Sequence, residues 1–446
     1  MITFIKNKAV NLISDKKFSD ILTGSTWALG AQVVATIISM VTSVIIARFY
    51  GAEILGIVAM INTFLMLTTI FTVLGTNTSI LRLIPEHKEK YSATSAFKVY
   101  RKTQYFVAIL SLFTGAILFF SAEFIAGTIF SNPALKFYFS LAAGFILFKS
   151  LMILNTQAVR GLYLNQQFAL MNVLPSLTKL IVLILLTIFL FNDSNPIYAM
   201  FASIGVTAIL GVWIMDRAFR KEIQPNDLVK EIGINKILSI SMPMLMTATM
   251  VYVTNQTGVL VLGIFRSEAE VGYYSVAVKF ATLTAFLLRA VITVSGPKFS
   301  GLYYTGKIDE LFYVARKTSK LLFYTTVPIM VILVLTGKFV IEFLYGKDFV
   351  VAYWAMAILM IGNFITTTGG PVAMFMNMTD NHKPFRNIKI ISAISTIGLC
   401  FLLIPVWGIY GAAFAGSFSL SLWTIMSIIF IKKKFGKTIG YLPFLN

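Results

Sequence analysis

The chain has 446 residues, 57% of them apolar and only 12% charged, with a formal net charge of +19. Apolar runs of about 20 residues recur along its whole length, which a bilayer requires and a soluble domain does not tolerate. Cys400 is the only cysteine, which excludes a disulfide framework, and His87 and His382 lie in different loops without Cys or carboxylate clusters, so neither a metal site nor a cofactor is expected.

In chain order, residues 2–19 read as a basic interfacial segment, with Ile2, Phe4, Ile5, Val10, Leu12 and Ile13 against Lys6, Lys8, Lys16 and Lys17, and not as a signal peptide. Twelve predicted spans follow: 21–47, 54–80, 104–122, 136–158, 169–191, 196–216, 236–264, 270–295, 318–337, 351–377, 386–405 and 408–431. The longest connections, 81–103, 217–235 and 296–317, are too short for a separate soluble domain. The fold class is an all-α polytopic membrane protein.

Cationic residues set the orientation. Most sit on the side of the N-terminus: Lys6 to Lys17, Arg82 to Lys102, Arg160, Arg217 to Lys236, Lys298 to Lys320, Lys383, Arg386 and Lys389, and Lys432 to Lys437. The opposite side holds only Arg48, Lys136, Arg266, Lys338 and Lys347. This asymmetry places both termini in the cytoplasm and accounts for most of the basic balance, together with attraction to anionic lipid. Nucleic-acid binding has no supporting motif.

A sequence pattern recurs about 215 positions apart. Phe49-Tyr50-Gly51-Ala52-Glu53-Ile54-Leu55-Gly56 meets Phe265-Arg266-Ser267-Glu268-Ala269-Glu270-Val271-Gly272. Val99 to Thr103 meets Val314 to Thr318, Glu123-Phe124-Ile125 meets Lys338-Phe339-Val340, and Asn165 to Phe168 meets His382 to Phe385. Each match is weak; four in one order at nearly constant offset are not. They predict two parallel six-helix lobes around a central cavity: residues 1–216, a cytoplasmic linker at 217–235 containing Pro225, and residues 236–446.

Several spans carry a narrow polar face. Ser25, Gln32, Thr36, Ser39 and Ser43 fall within about 60° on the first. Asn62, Thr69 and Thr76 recur every seven residues on the second. Ser275, Lys279, Thr282, Arg289 and Thr293 align on the eighth, Lys149, Thr156 and Arg160 on the fourth, and Asn172, Ser176 and Lys179 on the fifth. Such faces either pack through interhelical hydrogen bonds or line water. A lone cation at mid-depth costs about 3 kcal/mol on insertion scales, so Lys149, Lys179, Lys279 and Arg289 are expected to face an aqueous cavity, or to snorkel where they lie nearer a span end.

Every acidic residue falls in a loop or at a span end; Asp20, Glu53, Glu123, Asp193, Asp216, Glu342 and Asp348 come closest to the bilayer. An electropositive lumen favours an anionic solute and disfavours an organic cation. With no DxD motif, no pair of intramembrane carboxylates and no large outer loop, an enzyme is not expected. Thr367-Thr368-Gly369-Gly370-Pro371 interrupts the tenth span, while Pro243 and Pro175 mark a hinge or a plain kink.

The chain resembles the polysaccharide-transport members of the multidrug/oligosaccharidyl-lipid/polysaccharide exporter superfamily, especially O-antigen flippases. The carrying residues are Gly24-Ser25-Thr26-Trp27, Ala47-Arg48-Phe49-Tyr50-Gly51, Gly56, Arg82 and Gly161. The resemblance implies a MATE-like fold, an inward- and outward-open cycle, and an undecaprenyl-pyrophosphate-linked oligosaccharide as substrate in the bacterial inner membrane, with polysaccharide polymerase machinery as a partner. Beside it, the residue pattern nominates Lys149, Lys179, Lys279, Arg289 and Arg160 for the pyrophosphate, and Gln32, Asn62 and Thr282 for sugar hydroxyls. The alternative is a cation-coupled exporter of drugs or metabolites.

Overall fold

A computed structural model of the chain describes residues 16–224 and 229–441. Most of the interfacial segment and Pro225 lie outside the described residues, as do the side chains of 16–26, 247–248, 285–294 and 296–297. The described chain is helical: α1 (Lys16–Val73), α2 (Thr76–Lys90), α3 (Ala93–Phe124), α4 (Leu135–Gly161), α5 (Asn165–Phe189), α6 (Asn195–Arg220), α7 (Ile234–Phe265), α8 (Glu268–Tyr304), α9 (Ile308–Tyr345), α10 (Ala352–Gly369), α11 (Val372–Met378) and α12 (His382–Phe435), with short π and 3₁₀ turns at Ile125–Ile129 and Lys347–Val351.

Eight helical segments among the described residues are long and apolar enough to cross a membrane; a ninth is α7, bent by 47° between Ile234–Met246 and Thr249–Phe265. Two of the eight hold two predicted spans each. The apolar part of α1 has 47 residues and α12 has 54. At about 1.5 Å per residue, either would be more than twice the ~30 Å hydrocarbon thickness. Each breaks at one glycine, Gly51 (φ 83°) and Gly408 (φ 52°). At Gly408 the chain reverses: a Cβ on Gly411 would lie 2.5 Å from the Leu403 carbonyl, and Ser392 Oγ meets Ser419 Oγ across the two arms at 2.8 Å. With α8, the twelve predicted spans are accounted for. The tenth, 351–377, is α10 plus α11, divided at Gly370 (φ 80°) and Pro371 as the sequence anticipates.

The helices cluster into two compact units. The first comprises residues 1–42, 68–122 and 137–245, the second 43–67, 123–136 and 246–446. Segments 43–67 and 123–136 therefore pack with the second half of the sequence. In the first unit, Tyr100, Leu154, Val159, Met215 and Phe219 form a closed apolar core. In the second, Phe299, Phe312, Phe375, Phe385 and Trp423 do so.

Repeat-equivalent residues meet inside the second unit. A Cβ on Gly56 would lie 1.7 Å from the Glu268 carbonyl oxygen, and one on Gly272 would lie 2.1 Å from the Ala52 carbonyl oxygen. Ala52 matches Glu268 in the repeat just as Gly56 matches Gly272, so the contact is reciprocal, backbone on backbone, and only glycine fits. Ser267 caps α8 beside this contact, its hydroxyl accepting from the Glu270 N–H, and Glu268 accepts from Asn132 Nδ2 at 2.7 Å.

Two arginines close helix ends in the same unit. Arg48 donates to the carbonyls of Glu342, Phe343 and Leu344 at the end of α9. Arg266 donates to those of Ile404, Pro405 and Val406 at the α12 break. Both satisfy carbonyls that a helix end leaves open, and both place a cation at the negative end of a dipole.

Candidate functional site

The first unit holds two nominated cations side by side. Lys149, on α4, is 7% exposed. Lys179, on α5, is half-buried and close enough to Lys149 for the two to repel. Neither forms an ion pair with a described residue. The next residue on α4, Ser150, shares a hydrogen bond with Thr72 Oγ1 at 2.6 Å, which ties that turn to the second arm of α1. One turn further, Asn155 Oδ1 accepts from Tyr100 at 2.9 Å. A Cβ on Gly211 would lie 2.9 Å from the Asn155 Cβ, so Gly211 leaves the room that amide occupies. Arg160, the last nominated cation of α4, is exposed and lies over the Phe168 ring. At the rim of this unit Arg101 bridges Gln104 at 2.7 Å and Asp216 at 2.8 Å. Sequence reasoning did not single out that pair; Asp216 is the one acidic residue within α6.

The other nominated residues are placed as follows. Gln32 is exposed and Asn62 half-buried, on the two arms of α1. Lys279 is half-buried on α8 and is not without an interaction partner, unlike the isolated cation the sequence suggests. Arg289 falls on α8, but its side chain lies outside the described residues. Thr282 is exposed and donates to the Lys279 carbonyl at 2.9 Å. The same habit runs through the stripes. Thr36 and Ser275 donate to carbonyls four and three residues back on their own helix. These hydroxyl protons neither cross to another helix nor await water, because backbone carbonyls lie within reach.

The second unit contains a cavity of about 250 Å³ reached by α7, α8, α10 and both arms of α12. Its lining includes Thr254, Thr282, Asn363, Thr366, Lys389 and Trp423. Lys389 Nζ stands 3.5 Å from the Trp423 ring centroid, a cation–π contact, and 5.6 Å from that of Phe385. Asn363 Nδ2 donates to the Ala281 carbonyl at 2.9 Å. The sequence counts Lys389 among the cytoplasmic cations; the structure puts it in this cavity, about two turns into α12. A signal was there. Phe168 matches Phe385 in the repeat, so Lys389 is the counterpart of Asn172 on the fifth span's polar stripe.

Similarities follow the geometry. Residues 45–354 match the family model of polysaccharide biosynthesis proteins. The uncharacterized membrane protein MJ1068 of Methanocaldococcus jannaschii is 22% identical, covering 92% of this chain and 83% of its own. The probable flippase AglR of Haloferax volcanii is 27% identical over 38% of this chain and 36% of its own length. The fold is that of the lipid II flippase MurJ in an inward closed conformation (TM-score 0.69, 19% identity, 90% of this chain and 86% of that one). It is equally that of an inward-facing multidrug-resistance MATE transporter of the MOP superfamily (TM-score 0.69, 13% identity, 92% and 98%). The chain is a multi-pass membrane protein and belongs to the polysaccharide biosynthesis protein family.

Proposed function

We propose that the protein is a flippase that moves an undecaprenyl-pyrophosphate-linked oligosaccharide, an O-antigen or other surface-polysaccharide repeat unit, from the inner to the outer leaflet by alternating access. The observation that carries this is the Lys149–Lys179 pair: two neighbouring cations inside one unit with no carboxylate between them. Apart, each costs several kcal/mol; together they repel. A diphosphate would satisfy both through charge-assisted hydrogen bonds. The family match to polysaccharide biosynthesis supports a glycan as cargo. No bond is made or broken in such a step, so shielding of the polar head replaces catalysis.

In this reading Lys149, Lys179, Lys279, Arg289 and Arg160 attract the pyrophosphate, and Gln32, Asn62 and Thr282 meet sugar hydroxyls. Residues 1–216 and 236–446 act as the two moving halves joined by 217–235. The membrane is the bacterial cytoplasmic membrane, both termini are cytoplasmic, and the polymerase machinery receives the product.

The test is flipping of a fluorescent undecaprenyl-pyrophosphate-linked sugar in proteoliposomes, with complementation of a flippase-deficient strain. Lys149→Glu is expected to abolish both at normal protein level, and Lys149→Arg to keep more of each. Losing one charge-assisted contact of about 1.5–3 kcal/mol corresponds to tenfold weaker binding or more. Equal activity of Lys149→Glu and the parent would overturn the reading.

A further inference from the structure

Donors and acceptors in the second unit's cavity are sorted in a way that neither the family nor the fold requires. Three threonines in the wall have already given up their protons. Thr254 Oγ1 donates to the Met250 carbonyl at 2.9 Å, Thr282 Oγ1 to that of Lys279 at 2.9 Å, and Thr366 Oγ1 to that of Gly362 at 3.0 Å. Each hydroxyl oxygen keeps lone pairs. Asn363 commits one of its two amide N–H groups to the Ala281 carbonyl at 2.9 Å, and its Oδ1 remains an acceptor. The remaining wall is the opposite. Lys389 carries three N–H donors and no acceptor, and it is the only charged residue among the described residues lining the cavity. Its ammonium stands 3.5 Å from the Trp423 ring centroid, so Trp423 presents its ring face to the cation while its Nε1 is fully buried.

A ligand that fits must offer hydroxyl donors to one wall and anionic oxygens to the other. The cavity volume of about 250 Å³ sits just below the ~300–1,000 Å³ of pockets that bury drug-sized molecules, which is room for one sugar ring and not for a chain. We infer that this cavity is a subsite for a single acidic sugar of the transported glycan, its carboxylate held by Lys389, and its ring hydroxyls donating to Thr254, Thr282, Thr366 and Asn363. The inference rests on the flippase reading for the source of the sugar, but not for the binding itself. A neutral sugar leaves the ammonium uncompensated, and a free phosphate leaves the threonine wall unused. The substrate class is thereby narrowed to glycans containing a uronic acid or a similarly carboxylated residue.

The test uses purified protein in nanodiscs and three soluble probes: glucuronate, glucose and inorganic phosphate, with binding read by saturation-transfer NMR and by competition among them. Glucuronate is expected to bind at least tenfold more tightly than glucose, because only it gains the charge-assisted bonds. Lys389→Gln should remove that preference while leaving the weak glucose signal, and Lys389→Arg should retain it. Monodisperse elution and unchanged thermal unfolding of Lys389→Arg guard against misfolding. Phosphate that binds as well as glucuronate and displaces it would overturn the sugar assignment and leave a plain anion site. Glucuronate binding that Lys389→Gln leaves unchanged would overturn it too. Neither result bears on flipping, which is measured separately with the lipid-linked substrate. A protein that flips but shows no glucuronate preference keeps the flippase reading and loses this one.

Discussion

Replacing Gly56 with alanine should part the reciprocal contact inside the second unit. The new Cβ would stand 1.7 Å from the Glu268 carbonyl oxygen, a backbone atom that cannot rotate away. Ordinary C···O contacts lie at about 3.3–3.6 Å, so the two segments must separate by roughly 1.6 Å or more. Gaps of even 0.5–1 Å forfeit a quarter to a half of the local dispersion attraction, and overpacked contacts typically cost 1–3 kcal/mol. A cost of about 2 kcal/mol lowers the population of the closed contact roughly 30-fold. Leu55 and Val271 are reporters on the two sides, being 4% and 0% exposed. Introduced as Leu55→Cys or Val271→Cys, each should react slowly with a water-soluble maleimide. The background is low because Cys400 is buried. Gly272→Ala should accelerate labelling at Leu55→Cys, and Gly56→Ala should accelerate it at Val271→Cys, by similar factors. Since both alanines strain one contact, the double variant should cost clearly less than the sum of the singles. Unchanged labelling, or fully additive costs, would show that these glycines do not hold the segments together.

Other substitutions test other parts of the structure. Lys149→Met removes a buried charge beside a like charge, so thermal unfolding in detergent should shift upward while glycan assembly is lost; a downward shift would contradict the burial argument. Arg101→Gln should destabilise by about 2 kcal/mol, and an Arg101/Asp216 double-mutant cycle should return about 1–2 kcal/mol of coupling; zero coupling would mean the pair is ornamental. Arg266→Ala should cost about 1.5 kcal/mol in chemical denaturation and Arg266→Lys nearly as much, because an ammonium cannot span the three carbonyls a guanidinium reaches. Full rescue by lysine would show that charge alone matters there.

The architecture was readable in the sequence because the bilayer forces it. A span of about 20 apolar residues has few alternatives. Even the glycine breaks were signalled, since Gly369-Gly370-Pro371 cannot continue a helix. What composition conceals is how spans group. Segments 43–67 and 123–136 belong to the first half of the sequence yet cluster with 246–446, a result of side-chain and backbone fit that no periodicity encodes. The repeat, by contrast, carried more than its weak matches promised. Gly56 and Gly272 occupy equivalent positions, and they press on each other's neighbours because a reciprocal contact requires the same small residue on both sides.

The candidate site was legible where charge decided and illegible where hydrogen-bond direction did. Lys149 stood out from depth alone, and it is buried next to Lys179. Lys389 did not, because one turn inside a predicted span end is within the error of any boundary and because its neighbours Lys383 and Arg386 stand at the start of the same helix. Its meaning comes from Trp423, which lies 34 positions further on and is brought beneath it by the reversal at Gly408. Stripe threonines carry a similar lesson. Thr282 was nominated as a hydrogen-bonding residue from its helical face, and it is one, but its proton is committed to the Lys279 carbonyl. A face of threonines inside a membrane helix is therefore chiefly an acceptor surface. It selects ligands that bring their own hydroxyl protons, which sugars do, and it needs a separate cation to hold an anion. Under the proposed function, Lys389 is that cation in the second unit's cavity, and Lys149 and Lys179 serve the same purpose in the first unit.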